Sequence, residues 1–208
     1  MARKKQENPL ESKKYDIIYV DPPWPHHGDP NKMAAAGKHY HLMTMEEINR
    51  MPLRSILKKD AAVFCWATTP RLDLAIEAIN SWGLHYRGVA HIWVKSRKSD
   101  NAIIHGQGVP PTYSKPTTEL LLLATTKKSG RPIPLVNCAL PQVVLAPREE
   151  HSVKPEIFRT LIEKAYNNSS LKKIEIFSRK KEIPGWDVAG NAIDGEDINK
   201  TLSKMFDQ

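Results

Sequence analysis

Apolar runs of strand length alternate along this chain with stretches of helical periodicity. The first such run is Asp16-Ile17-Ile18-Tyr19-Val20, and a second covers Ala61 to Ala67. Further strands are predicted at about Gly88 to Lys95, Glu119 to Thr125, Gln142 to Leu145 and Lys173 to Ser178. Between them lie helix signals. Thr44 with Glu47 three residues on forms a capping box for a helix through about Leu57. Thr69 followed by Pro70 reads as an N-cap with proline at the first helical position, and Gly83 as the stop. Leu72, Ala75, Ile76 and Ile79 supply that helix's apolar stripe. Pro155 opens another helix, with Ile157, Phe158, Leu161, Ile162 and Ala165 expected to face inward.

Strands alternating with helices predict an α/β fold, a Rossmann-like doubly wound domain around a mostly parallel sheet. With 208 residues, one domain is expected, spanning 15–193 between a basic N-terminal arm (1–14) and a tail (194–208). Two long polar loops interrupt the pattern, Pro25 to Met43 and Ser96 to Thr117. Loops of that length in a compact domain are usually functional or disordered.

Composition narrows the picture. A formal charge of +8, from 31 Lys+Arg against 23 Asp+Glu, favours an acidic partner such as nucleic acid, the plainer reading being a solvated basic surface. Cys65 and Cys138 fit no disulfide framework and no metal spacing, and the charged opening Met1 to Lys14 lacks an apolar leader segment. The apolar run Leu120 to Ala124 is too short to span a bilayer. A cytoplasmic protein with no membrane partner is the expectation.

Asp21-Pro22-Pro23-Trp24 carries the most specific chemistry. It closes the first strand, and ligand sites in open α/β sheets lie outside the carboxyl ends of strands. Consecutive prolines remove two backbone donors and leave their carbonyls as acceptors. Asp21 adds an acceptor-only carboxylate and Trp24 a flat ring. Together they suit an amine on an aromatic ring: carboxylate and proline carbonyl accept the amine hydrogens while the indole stacks on the base. Acceptors on both hydrogens bias a delocalised amine nitrogen towards tetrahedral geometry and stabilise the charge it gains on attack. A duplex base must be flipped out to be reached.

Lys95, Arg97 and Lys98 are candidate phosphate contacts at a strand end, or else a solvated charge run. His26, His27, His39 and His41 match no strong metal template and are read as loop histidines, with no metal expected. Trp66 and Trp93 are expected in the core. Trp186 could close over a cofactor or cap the last turn.

The strand ending in Asp-Pro-Pro-Trp, the Tyr40-to-Glu46 segment and the C-terminal pattern together resemble the MT-A70 family of adenine N6-methyltransferases. The likeness runs from about Tyr15 to Ile193, with a permuted motif order: catalytic strand first, cofactor strand last. It implies S-adenosylmethionine as cofactor and Asp21, Pro22, Pro23 and Trp24 as the catalytic motif. Tyr40 and Met43 match a flap near the substrate, Cys65 to Thr68 the second core strand, and Trp93-Val94-Lys95 the next strand. Gly106, Gly108 and Glu119 match a glycine-bearing loop and the acidic start of a core strand. His151-Ser152-Val153-Lys154-Pro155 resembles the cofactor-side lysine motif, which implies that Lys154 contacts the methionine carboxylate. Glu175 and Arg179 match the ribose-binding strand end, and Asn191 an asparagine of the cofactor pocket. Ala192 departs from the glutamine common in eukaryotic members.

The resulting expectation is methyl transfer to the adenine amine of nucleic acid, DNA favoured over RNA, by a homodimer or with a partner subunit. The rival of another class is a non-catalytic nucleic-acid-binding scaffold on the same fold.

Overall fold

The computed structural model describes residues 14–25, 43–105, 113–149, 153–190 and 201. Its frame is a seven-stranded sheet. Strands β1 (Tyr15–Val20), β2 (Leu57–Thr68), β3 (His85–Ser96), β4 (Thr118–Thr125), β5 (Val143–Pro147), β6 (Lys173–Ile176) and β7 (Asp187–Ala189) lie in the order β5-β3-β4-β2-β1-β6-β7. β1 is buried at every position and pairs in parallel with β2 on one side and β6 on the other. A strand covered on both faces has no reason to alternate, which explains its continuous apolar run. Only β4 is reversed, antiparallel to both β2 and β3, so the sheet is mostly parallel, as expected. That single reversal decides what reaches the site.

Helices cover both faces. On one, α1 (Met45–Asn49), α2 (Leu53–Ile56) and α3 (Leu72–Ser81) bury Ile48, Leu53, Ile56, Ala75, Ala78 and Ile79 against alternate residues of β1 and β2, such as Ile18 and Val63. On the other, α4 (Ile157–Tyr166) packs Phe158, Leu161 and Ile162 against Ile17, Tyr19, Phe64 and Trp66. The Thr44 capping box forms as expected, with Thr44 Oγ1 accepting from the Glu47 amide at 3.2 Å and the Glu47 carboxylate accepting from the Thr44 amide at 2.8 Å.

Three local expectations are corrected. The helix predicted from Thr44 through Leu57 is broken into α1 and α2, and Pro52 sits at the N-cap of α2; a proline has no N–H to continue the helical ladder. Thr69 and Pro70 form a 3₁₀ turn, so the cap position falls to Thr68, whose side chain makes no capping bond. On α4, Ile157 is 38 % exposed whereas Arg159 is buried, so the inward face is turned relative to the expected stripe. Gly83 does end α3, in the left-handed region at φ 70°.

Beyond β7, Gly190 packs its Cα against the backbone after β6. A Cβ there would stand 2.5 Å from the Ser178 carbonyl oxygen and 2.9 Å from its nitrogen. Neither atom can move without shifting the end of β6. Gly190→Ala is therefore expected to destabilise the fold by about 1–3 kcal/mol through overpacking, read as a lowered midpoint of urea unfolding at unchanged slope.

Candidate active site

The carboxyl ends of the parallel strands place Asp21 just past β1, Thr68 at the end of β2 and Lys95 near the end of β3. Because β4 runs the other way, its second residue reaches the same edge: Glu119 lies opposite both Thr68 and Trp93. The segment leading into α4 then brings Lys154 across them.

Four charges form a continuous chain. The Lys154 ammonium donates to Asp21 Oδ2 at 2.6 Å and lies 3.2 Å from Glu119 Oε2; Lys95 holds Glu119 Oε1 at 2.6 Å. The lysine side chain is only 11 % exposed, and its ammonium stands 5.4 Å from the Trp66 ring centroid. Burial opposes the Lys154 charge, but the two carboxylates outweigh it and raise the amine further above its ordinary value. Glu119 is likewise opposed by burial, yet Lys154 and Lys95 hold its carboxyl below the usual range. Asp21 goes the other way: burial raises its carboxyl above the ordinary aspartate value, with Lys154 acting against that rise.

A floor of rings supports these charges. Trp66 meets Phe158 edge-on at 4.9 Å, and Tyr19 and Trp93 each lie 6.2 Å from Trp66. Trp66 and Trp93 thus take the core positions expected of them, and the Trp93 indole N–H donates to the Ala146 carbonyl at 2.8 Å. Trp186 is buried too, bonded through its indole N–H to Glu163 at 2.7 Å, under the last turn.

The tetrapeptide is arranged differently from the simplest expectation. The Pro22 carbonyl accepts from the Trp24 amide at 2.9 Å, and the Pro23 carbonyl from the Met43 amide at 3.4 Å. A carbonyl oxygen has two lone pairs, so each retains one acceptor direction. Trp24 is no open platform: its indole is 8 % exposed, packs in the core with Met43 and Val20, and donates to the Trp66 carbonyl at 3.0 Å. In this conformation the ring anchors the turn and offers no face to a base.

Next to Asp21, the end of β6 forms a pocket lined by Tyr19, Asp21, Lys154, Arg159, Glu175 and Arg179, among others. Arg159 donates to Glu175 Oε2 at 2.8 Å. Burial raises the Glu175 carboxyl, and Arg159 opposes the rise. Arg179 is exposed on the pocket rim and acts electrostatically on Asp21.

The structure therefore brings together Asp21, Pro22, Lys95, Lys154, Glu175 and Arg179. It sets Arg97 and Lys98 apart on the exposed turn after β3, where Asp100 clasps Arg97 at 2.6 Å. Tyr40, Asn191 and the four loop histidines lie outside the described residues. Lys95 is a strand residue engaged by Glu119, not a loop cation. Among the described residues no group of His, Cys, Asp and Glu could hold a metal ion, and no helix is long and apolar enough to cross a membrane. Two residues join the site beyond those expected in it: Glu119, matched only to the acidic start of a core strand, and Arg159. Each carried a signal: a charge heading an apolar strand, and a charge between the inward-facing Phe158 and Leu161.

Comparison with known proteins shows the family. The sequence model of the MT-A70 family matches residues 15–192. The chain is 30 % identical to the type II methyltransferase M.MunI of Mycoplasma sp over 216 residues, covering 96 % of this chain and 86 % of that protein. It is 28 % identical to the human N(6)-adenosine-methyltransferase catalytic subunit METTL3, covering 88 % of this chain but 29 % of that protein. For the mouse N(6)-adenine-specific methyltransferase METTL4 the identity is 28 %, with 87 % and 38 % covered. This chain thus spans well under half the length of its animal relatives.

The donor set of the pocket also fits S-adenosylmethionine. Carboxylates suit a ribose diol and an ammonium group, and the third donor hydrogen of Lys154 and the Arg179 guanidinium suit a carboxylate. With its Asp-Pro-Pro-Trp strand end, its paired carboxylates and a family match spanning its strands, the chain belongs to the MT-A70 family of S-adenosylmethionine-dependent adenine N6-methyltransferases.

Proposed function

We propose that this chain methylates the N6 amine of adenine in DNA, with Asp21 as the residue that receives the amine. One observation carries the reading. Asp21 is a largely buried carboxylate at a central strand end whose Oδ2 is held by Lys154 at 2.6 Å, while Oδ1 makes no hydrogen bond among the described residues. A carboxylate fixed through one oxygen presents the other as a pre-aimed acceptor, and the remaining lone pair of the Pro22 carbonyl provides a second. When bound, S-adenosylmethionine supplies an electrophilic sulfonium methyl. The chain's own residues hold and orient: Asp21 and Pro22 accept the amine hydrogens and stabilise the positive charge the nitrogen gains. Lys154, Glu175, Arg179 and Asn191 hold the cofactor, and Tyr40 borders the substrate. In this reading Lys98 and Arg97, on the exposed turn, contact phosphates away from the pocket, whereas Lys95 is engaged by Glu119 in the charge chain.

DNA is favoured on likeness: identity is 30 % to the Mycoplasma type II methyltransferase against 28 % to METTL3, and a formal charge of +8 suits a nucleic-acid partner. We place the enzyme in the cytoplasm, as its two free cysteines suit a reducing compartment.

Transfer of a tritiated methyl group from S-adenosylmethionine to single- and double-stranded DNA and RNA oligonucleotides tests the reading. Label recovered as N6-methyladenine, preferentially in DNA, is expected. Cofactor binding without transfer to any oligonucleotide would favour the scaffold alternative.

Site variants divide the roles. Asp21→Ala should lower kcat by roughly 10²- to 10³-fold and leave cofactor affinity nearly intact, since Lys154 keeps Glu119 as partner. Lys154→Ala should impair both kcat and affinity, because the same ammonium positions Asp21 and faces the cofactor pocket. Loss of affinity alone in Lys154→Ala would refute the link to Asp21.

The pH profile follows from the same carboxylate. Asp21 works ionised, and its folded pKa lies above the ordinary aspartate value of about 4. As pH falls through that raised value, kcat/KM should fall, giving an acid limb centred above pH ~4 that Asp21→Ala abolishes.

A further inference from the structure

Arg159 sits on α4, between Phe158 and Thr160, and is 4 % exposed. Its Nη1 donates to Glu175 Oε2 at 2.8 Å, while its Nη2 is buried with no hydrogen-bond partner among the described residues. Both side chains line the pocket next to Asp21. Such an arrangement is a poor choice for stability alone. Burying an arginine costs a large desolvation penalty, and a buried pair is often no better than apolar side chains of the same volume. A buried guanidinium with a purely structural task would also have all its donors satisfied. Here the geometry serves one carboxylate.

The layout repeats that of the catalytic strand. Asp21 follows β1 and Glu175 lies in the adjacent parallel strand β6, opposite Tyr19. One short segment supplies a cation to each: Lys154 to Asp21 and, five residues on, Arg159 to Glu175. We infer that Arg159 is a positioning residue for cofactor binding, holding Glu175 ionised and aimed so that its carboxylate receives the ribose hydroxyls of S-adenosylmethionine. The inference rests on the reading of this pocket as the cofactor site and adds a residue to it.

The electrostatics explain why Glu175 needs such a partner. Around it stand Tyr19 and Asp21 from the β1 strand end, Arg159 and Lys154 from α4 and the segment before it, and Arg179 and Lys180 from the turn after β6. Burial and the nearby Asp21 charge both favour the protonated carboxyl, and Arg159 is the cation in direct contact with it. A protonated carboxyl loses one acceptor and gains a donor, which weakens its grip on a diol. Removing the guanidinium should therefore raise the Glu175 carboxyl further and favour its protonated form.

Calorimetric titration with S-adenosylhomocysteine and with its 2′-deoxyribose analogue, from pH 6 to 8.5, tests this without catalysis. In the wild type, affinity for adenosylhomocysteine should be nearly flat with pH, and the ribose form should bind more tightly than the deoxyribose form. In Arg159→Gln, affinity for the ribose form should drop roughly 10- to 100-fold at pH 6–7 and recover as pH rises and Glu175 ionises. Affinity for the deoxyribose form should change far less. Arg159→Lys, which keeps the charge and is safer for folding, should retain the flat profile with a smaller loss. Glu175→Gln should erase the ribose preference, and Arg159→Gln added to it should cost little more. If Arg159→Gln and Arg159→Lys lower the melting temperature but leave affinity, its pH profile and the ribose preference unchanged, Arg159 is merely structural and the inference is overturned. Wild-type protein with no affinity for adenosylhomocysteine would instead overturn the cofactor reading of the pocket, and this inference with it.

Discussion

One buried ammonium ties the candidate active site together. Lys154 lies between Asp21 and Glu119, over the Trp66 ring, at the point where β1, β2 and β4 converge. In a low-dielectric setting an unpaired charge of either sign would be prohibitive, so each member of the chain depends on its neighbours. Lys95 completes the balance, giving two amines for two carboxylates. The consequence is a held acceptor: Asp21 cannot swing without giving up its bond to Lys154, and Lys154 cannot leave without placing two carboxylates face to face. A catalyst that works by aiming fixed dipoles at developing charge needs that immobility.

The scaffold below is built to hold that chain in place. Tyr19, Trp66, Trp93 and Phe158 contact one another edge-on, filling the space between sheet and α4 with large, stiff rings. Their ring edges and faces carry opposite partial charges, which fixes their mutual orientation beyond what burial alone would do. Trp24 adds a second brace from the other face, its indole N–H tied to the carbonyl of Trp66, so the turn after β1 and the end of β2 are locked together. The tetrapeptide therefore owes its shape to the core as much as to its own prolines.

Much of this was legible in the chain. Unbroken apolar runs identify buried strands, because a strand covered on both faces has no polar side; the capping box at Thr44 and the glycine stop at Gly83 mark helix ends by local hydrogen bonding and a left-handed φ that need no distant partner. Asp21-Pro22-Pro23 announces an acceptor cluster through the chemistry of its residue types. What failed locally did so for physical reasons. Pro52 divided a helix that periodicity alone would have continued, and α4 buries Arg159 in place of Ile157 because Glu175 waits opposite it. Trp24, expected from its place beyond the strand end to stack on a base, instead packs in the core with its indole N–H donated to the Trp66 carbonyl.

The sequence by itself determined the fold class, the strand that carries the acceptor and the residue types available for the reaction, since these depend on periodicity and covalent chemistry within a few residues. Only the tertiary structure decided which charges meet. Glu119 joins the site because β4 runs against its neighbours, and strand direction is set by long-range pairing rather than by the composition of the strand. Lys154 is 133 residues from Asp21 along the chain and 2.6 Å from it in space. A contact of that kind is chosen by the packing of the whole domain, where burial makes each charge find its opposite.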